Sequence, residues 1–135
     1  MRNSLDIFAH HGKGGGVLSG STFNTLEKMA VGADADIYLM GHDHKKGCIP
    51  STPRLRLSSR GKDAELFVKS RSPWLGRTGS FLRAYEAGRI SYNVDAGRPP
   101  CSLGWIEFEV TPKRIRNQST SNPYDYIELS IRGTA

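Results

Sequence analysis

Residues 37–44 read Ile37-Tyr38-Leu39-Met40-Gly41-His42-Asp43-His44, an apolar run that ends in a glycine and two closely spaced histidines. A second stretch of this kind lies upstream, where His10 and His11 follow the run Leu5-Asp6-Ile7-Phe8-Ala9. All four histidines of the 135-residue chain lie in these two clusters. Parallel strands bring the groups at their carboxyl ends to one edge of a sheet. Because imidazole is the commonest protein ligand of transition metals, the pattern predicts a metal site.

The segment between the two clusters has the pattern of a helix. Apolar residues recur at helical spacing, namely Phe23, Leu26 and Ala30. Asn24, with Glu27 three residues later, matches a capping box, and Gly32 is a typical helix end. With strands at 5–9 and 35–40, and a glycine-rich loop at 12–20, residues 5–44 are predicted to form one βαβ unit.

The second half of the chain has a different pattern. Polar and apolar residues alternate in several short runs, which predicts half-exposed antiparallel strands at Arg54–Leu57, Glu65–Val68, Trp105–Val110 and Tyr126–Ile131. Residues Ser80–Ala87 are predicted to form a short helix. Nothing in the sequence indicates a linker between domains, so a single domain is expected.

The amino-acid composition indicates which kinds of partner the protein can bind and where it is expected to be located. The net charge of +6 favours anionic partners such as nucleic acid, nucleotides or phosphoesters. No apolar stretch is long enough to span a bilayer, so no membrane partner is expected. The two cysteines, Cys48 and Cys101, do not make a disulfide framework and are interpreted as reduced thiols. The expected location is cytoplasmic.

The spacing of the histidines restricts their roles. His42 and His44 are two residues apart and can reach neighbouring points on one side, while Asp43 can hydrogen-bond an imidazole or cap the loop. His10 and His11 point to opposite sides of an extended chain, so one of them is expected to be a ligand. Two alternatives stay open: loop histidines that bind nothing, and a single zinc ion held by His42, His44 and Cys48.

The two histidine clusters also resemble a known family. An apolar strand followed by Gly41-His42-Asp43-His44, preceded by a strand followed by His10-His11-Gly12, is similar to the last two metal-binding motifs of the calcineurin-like metallophosphoesterases. Further stretches resemble phage-type members of that family: Gly12-Lys13-Gly14-Gly15-Gly16, Asn24, Ala35-Asp36-Ile37, Thr78-Gly79-Ser80-Phe81-Leu82, Tyr85, Pro100 and Leu103-Gly104-Trp105.

The resemblance implies a fold and a chemistry. The fold would be α/β: a partial β-sandwich with flanking helices, in which one βαβ unit is followed by mostly antiparallel strands. His10 and His42 would bind the second of two metal ions and His44 the first, while His11 would face the substrate as a catalytic residue. The ions would be divalent: Mn²⁺, Zn²⁺, iron or Ni²⁺. A hydroxide held between them would hydrolyse a phosphomonoester or phosphodiester.

The resemblance covers only part of the family's domain. The family's Asp-x-His, Gly-Asp and Gly-Asn-His motifs have no counterpart upstream of Leu5. Residues 1–135 are therefore expected to be the C-terminal part of a single metallophosphoesterase domain, from a truncated gene, a split gene or an incompletely determined sequence. A missing N-terminal half would then be a partner. The alternative function is a non-catalytic remnant that binds metal or an anionic partner such as nucleic acid.

Overall fold

The protein has a mixed α/β fold. The structure, a computed structural model, describes residues 4–12, 18–60, 65–83, 85, 87–88, 92–97, 100–101, 103–117 and 124–135. Residues 13–17, most of the predicted glycine-rich loop, lie outside this set. The described elements are β1 (Ile7–His10), α1 (Ser19–Gly32), β2 (Ile37–Met40), β3 (Lys46–Pro50), β4 (Arg54–Arg60), β5 (Glu65–Arg71), β6 (Trp74–Thr78), α2 (Tyr92–Asp95), β7 (Glu107–Asn117) and β8 (Tyr124–Thr134).

A four-stranded mixed sheet, in the order β1-β2-β6-β3, organises the fold. Strands β1, β2 and β6 are parallel, and β3 is antiparallel to β6. The predicted βαβ unit is confirmed, because β1 pairs directly with β2 in a register that places His10 opposite Met40. The carboxyl ends of β1, β2 and β6 and the first residue of β3 therefore share one edge of the sheet, which we call the carboxyl edge.

Helix α1 covers one face of this sheet and forms the main core with it. Leu26 and Ala30 of the helix, with relative exposures of 0% and 1%, pack against Tyr38, Met40 and Leu75. The helical spacing of apolar residues in the sequence is thus the spacing that buries one side of α1. Burial of this face positions the helix directly above the strands that carry the histidines.

The hairpin formed by β7 and β8 covers the opposite face of the sheet. A methyl group on Gly76 would lie 2.5 Å from Ile106 Cδ1 and 3.1 Å from Phe108 Cζ, so the hairpin approaches closely only because this position is glycine. The rings of Trp74 and Phe108 meet edge to face, with centroids 6.1 Å apart. The sheet therefore has a helix on one side and an antiparallel hairpin on the other.

The predicted start of the helix is wrong, whereas its end at Gly32 is confirmed. The helix begins at Ser19, so Asn24 lies in its interior and is exposed rather than capping. The N-cap is Leu18, which makes no side-chain capping hydrogen bond. Thr22 is only 4% exposed, and the extra helical turn is what lets its hydroxyl reach Asp43. A tertiary contact thus outweighs the local capping signal.

The second half is largely as predicted. Strands β4 and β5 form an antiparallel pair, as do β7 and β8, and these include the four predicted runs almost entirely. The predicted helix at 80–87 is wrong, because none of its described residues is helical. Ser80 instead bridges to Leu103, its hydroxyl accepts a hydrogen bond from Leu82 N at 3.0 Å, and Tyr85 has a positive φ of 62°. Within the described residues, no helix is both long enough and apolar enough to cross a membrane.

Candidate metal centre

The two histidine clusters meet at the carboxyl edge through His11 and His42. Nε2 of His11 lies 3.2 Å from Nδ1 of His42, and the two rings are nearly perpendicular with centroids 5.2 Å apart. His11 is exposed and His42 is half-buried. Because β1 and β2 are adjacent and parallel, the turns after both strands leave the sheet at the same level. The expected convergence of the two clusters therefore holds for this pair.

His10 is oriented differently from His11. Its Nδ1 accepts a hydrogen bond from the backbone N–H of Gly12 at 2.8 Å. A neutral imidazole whose Nδ1 accepts carries its proton on Nε2, so His10 presents an N–H to solvent rather than a free lone pair. Sequence reasoning required one ligand from the pair, and the resemblance favoured His10. The structure brings His11, not His10, beside His42.

The loop after β2 has an unusual backbone. His42 has φ 67° and His44 has φ 57°, the left-handed region that non-glycine residues rarely adopt. This conformation costs about 1–2 kcal/mol per residue relative to the right-handed one. Between them, the backbone N–H of Asp43 donates to Gly41 O at 2.9 Å. Two left-handed residues so close together persist only where other contacts hold the loop in place.

Asp43 anchors this loop. Its carboxylate accepts hydrogen bonds from the Thr22 hydroxyl at 2.7 Å, from Arg77 Nε and Nη2 at 3.1 and 2.7 Å, and from Lys45 N at 3.3 Å. The side chains of Asp43 and Arg77 are each 3% exposed. Oδ2 accepts three of these hydrogen bonds and Oδ1 accepts the one from Lys45 N, and Asp43 belongs to no three-ligand group among the described residues. Of the two roles open to Asp43, the structure assigns it the capping of the loop.

Helix α1 supports the anchor from the other side. The Arg77 guanidinium lies 5.3 Å from the ring centroid of Phe23, which is a cation–π contact. Phe23 directly follows Thr22 in the helix. Sequence reasoning missed Thr22 and Arg77 as positioning residues. The signal for Arg77 was a single arginine in the run Trp74-Leu75-Gly76-Arg77, which forms a buried strand. Thr22 gives no comparable signal, because its role depends on the packing of α1.

His44 lies in the same loop as His42, but among the described residues it does not join His11 and His42 in a three-ligand group. Its Nδ1 is buried and has no hydrogen-bond partner within the described part of the chain. An unsatisfied buried polar atom costs about 1–3 kcal/mol. His44 therefore gains stability from any group that binds this nitrogen.

The site has fewer donors than a complete metal centre. Across the described residues, no three His, Cys, Asp or Glu side chains are grouped closely enough to hold one ion. His42, His44 and Cys48 are all described and are not grouped in this way, so the structure gives the zinc alternative no support. Burial raises the pKa of the Cys48 thiol, which disfavours the thiolate that zinc requires. Its sulfur instead lies beside Gly133 of the β7–β8 hairpin.

A second charged cluster lies at the opposite edge of the sheet. An open cavity of about 370 Å³ there is lined partly by Arg54 and Arg71. Both guanidinium groups are engaged: Arg54 donates to Ala30 O, and Arg71 forms an ion pair with the buried Asp36. These contacts fasten the β4–β5 hairpin to helix α1 and to the residue before β2, and they do not belong to the histidine site.

Comparisons with known proteins add no relative. No family model matches the chain, and neither the curated proteins nor the solved structures contain a significant match. The indications of its function therefore come from the geometry of the carboxyl edge and the chemistry of its donors.

Proposed function

We propose that this chain carries the histidine half of a calcineurin-like metallophosphoesterase centre, which hydrolyses phosphomonoesters or phosphodiesters. The observation that carries the proposal is the pairing of His11 with His42 at the carboxyl edge of a parallel βαβ unit. Ligands of open α/β sheets bind beyond the carboxyl ends of the strands. The helix on one face of the sheet and the hairpin on the other are compatible with the β-sandwich that the family resemblance implies.

The spacing of the two ring nitrogens supports a shared ion. Two nitrogen ligands of a tetrahedral zinc ion, each about 2.05 Å from it, lie about 3.3 Å apart. Nε2 of His11 and Nδ1 of His42 are 3.2 Å apart. A direct hydrogen bond between the rings has a similar length, with the proton on one of these nitrogens. Ion binding requires that this proton leave and that the far nitrogen of the same ring take one up. The exposed ring of His11 can exchange protons with solvent in this way.

The available donors fit one divalent ion rather than two. His11 and His42 supply two ligands. His44, whose Nδ1 has no hydrogen-bond partner among the described residues, lies in the same loop but does not complete a three-ligand group there. Asp43, the carboxylate of this loop, is 3% exposed and accepts hydrogen bonds from Thr22, Arg77 and Lys45 N. Two divalent ions repel each other unless carboxylates lie between them, so a two-ion centre needs donors beyond those described. When bound, an ion here would supply a Lewis acid for a phosphoryl oxygen.

The remaining groups of the carboxyl edge suit a phosphate. We assign the ligand role to His11 and the substrate-facing role to His10, which reverses the assignment implied by the resemblance. His10 offers an Nε2–H to solvent, and a phosphate oxygen accepts such a hydrogen bond. Lys46 begins β3 at the same edge, opposite Thr78, and adds a positive charge.

The proposal is tested by combining calorimetric titration of Mn²⁺ or Zn²⁺ with an assay on a chromogenic phosphodiester. We expect at most one tightly bound ion per chain and slow, metal-dependent hydrolysis that EDTA abolishes. His42→Ala should lose both properties, whereas Val31→Ala, a change at an 83% exposed helix position, should keep them. Absence of ion binding would overturn the proposal. Two tightly bound ions with fast hydrolysis would overturn the view that the chain holds half of a centre.

The second candidate function is a non-catalytic protein that binds metal or an anionic partner. The net charge of +6 and the absence of a three-ligand group among the described residues favour it. It predicts nucleic-acid binding that weakens with salt and is indifferent to metal. Such binding without any metal-dependent turnover would select this candidate over the phosphoesterase.

A further inference from the structure

Two aromatic rings are presented to solvent near the carboxyl edge. Phe81 and Trp105 are 73% and 65% exposed, and their rings are stacked with centroids 6.3 Å apart and planes inclined by 27°. The two residues are far apart in sequence, so tertiary structure brings the rings together. Their mutual contact covers little of either ring. The pair therefore presents flat apolar surface to solvent.

Backbone hydrogen bonds tie this pair to the histidine loop. Gly79 N donates to Lys45 O at 3.1 Å, and Lys45 directly follows His44. Gly104 N donates to Ser80 O, also at 3.1 Å. Phe81 follows Ser80 in the chain, and Trp105 follows Gly104. Two hydrogen bonds in series thus hold the aromatic pair in a fixed relation to the candidate metal centre.

Close packing of glycines makes this connection possible. Gly79 has φ 79°, and a methyl group on it would lie 2.5 Å from Gly104 O and 3.1 Å from Lys46 Cβ. The Lys46 ammonium nitrogen lies 3.7 Å from where a methyl group on Gly104 would be. Lys46, which lies at the carboxyl edge, therefore brings its positive charge close to Gly104, the residue before Trp105.

We propose that Phe81 and Trp105 form a stacking platform for the bases of a single-stranded nucleic acid. This inference rests on the proposed function and names its substrate class: a phosphodiester strand whose bases stack on the rings while its backbone passes Lys46 toward His11 and His42. Exposed aromatic rings bind bases of any sequence by stacking, and lysine neutralises the phosphates. The net charge of +6 is complementary to this ligand.

The test is fluorescence anisotropy of a labelled oligothymidine, titrated with the whole chain in EDTA at low salt. Trp105→Ala and Phe81→Ala should each weaken binding by about 5- to 150-fold, the effect of losing one stacked base. Trp105→Phe keeps a ring and should bind within a few-fold of the wild type. Val31→Ala is the matched control for loss of an exposed apolar side chain and should bind normally. Lys46→Gln should reduce the salt dependence by about one phosphate contact.

The outcomes separate this inference from the proposed function. Wild-type binding by both Trp105→Ala and Phe81→Ala would overturn the platform, as would absence of oligothymidine binding or equal affinity for a duplex. Failure of the wild-type chain to bind oligothymidine, together with burial of the rings by a protein partner, would assign the pair to a protein interface instead. Because binding is measured in EDTA, loss of the metal site leaves this result unchanged. Conversely, Trp105→Ala should bind Mn²⁺ or Zn²⁺ as the wild type does.

Discussion

Arg77 donates two hydrogen bonds to one carboxylate oxygen of Asp43, from Nε at 3.1 Å and from Nη2 at 2.7 Å. Both side chains are 3% exposed, so this is a buried ion pair that joins β6 to the loop after β2. Asp43 lies between His42 and His44, both of which have left-handed backbone. Stability of the fold and geometry of the candidate metal centre therefore depend on the same contact.

Breaking this ion pair should destabilise the protein strongly. Asp43→Ala leaves the Arg77 charge buried without its partner, and we expect the free energy of unfolding to fall by about 3–5 kcal/mol. The matched control is Arg114→Ala, which breaks the exposed ion pair with Asp125 and should cost no more than about 1 kcal/mol. Urea denaturation followed by circular dichroism measures both. A loss of under 1 kcal/mol for Asp43→Ala would contradict the anchoring role.

Two glycine-to-alanine substitutions should change the stability of the fold in opposite directions. In Gly76→Ala the new methyl group meets Ile106 at 2.5 Å and Leu39 at 2.9 Å, so overpacking between sheet and hairpin should cost about 1–3 kcal/mol. In Gly20→Ala the methyl group meets nothing within 4 Å in the first turn of α1, and the helix should gain about 0.5–1 kcal/mol. Thermal denaturation measures both changes. Equal shifts in the melting temperature would argue against hairpin packing on Gly76.

The stability of the fold should depend on pH through Cys48. Burial raises the pKa of its thiol above the ordinary value of 9.0, so the folded state holds this proton more tightly than the unfolded state. The resulting contribution to stability is complete below pH 9.0 and is lost as the pH rises through the folded-state pKa. We expect Cys48→Ala to reduce the fall in stability at alkaline pH. Denaturation curves measured on both sides of pH 9.0 check this, and an unchanged alkaline limb would contradict it.

The exposed edge of the sheet should promote self-association. Among the described strands, β1 is paired on one side only, by β2. Its Ile7 is 54% exposed, whereas the neighbouring Ile37 is 2% exposed. Unpaired apolar edge strands recruit other chains, and an edge lysine opposes this. Ile7→Lys should therefore shift the protein toward monomer in analytical ultracentrifugation, with little change in unfolding free energy. Identical sedimentation of the variant and the wild type would show that the edge is not the site of association.

The sequence was sufficient to predict the parts of the fold that depend on local pattern. The apolar runs before each histidine cluster, with helical spacing between them, predicted the βαβ unit, and alternation predicted the later hairpins. The helix start was misplaced because Thr22 has a tertiary partner that outweighs the Asn24 capping signal. The strand Trp74–Thr78 was missed because its buried arginine looks like a surface residue until Asp43 is known to face it.

The candidate site was predictable in position but not in detail. The order of the strands determines that both clusters lie at one edge, and that order follows from the βαβ pattern. Which of His10 and His11 turns toward His42 depends on the hydrogen bond from Gly12 N to His10, which no sequence pattern reports. Likewise, the sequence left open whether Asp43 hydrogen-bonds an imidazole or caps the loop, because its donors Thr22 and Arg77 come from separate elements.

The pairing of His11 with His42 as ligands of one ion is tested most directly by titration with Co²⁺, followed by its visible absorption. The wild type and His10→Ala should develop the same absorption band with similar affinity. His11→Ala and His42→Ala should each weaken binding by more than about tenfold, since losing a ligand costs at least as much as losing a group that orients one. Loss of Co²⁺ binding in His10→Ala, with normal binding in His11→Ala, would contradict the account.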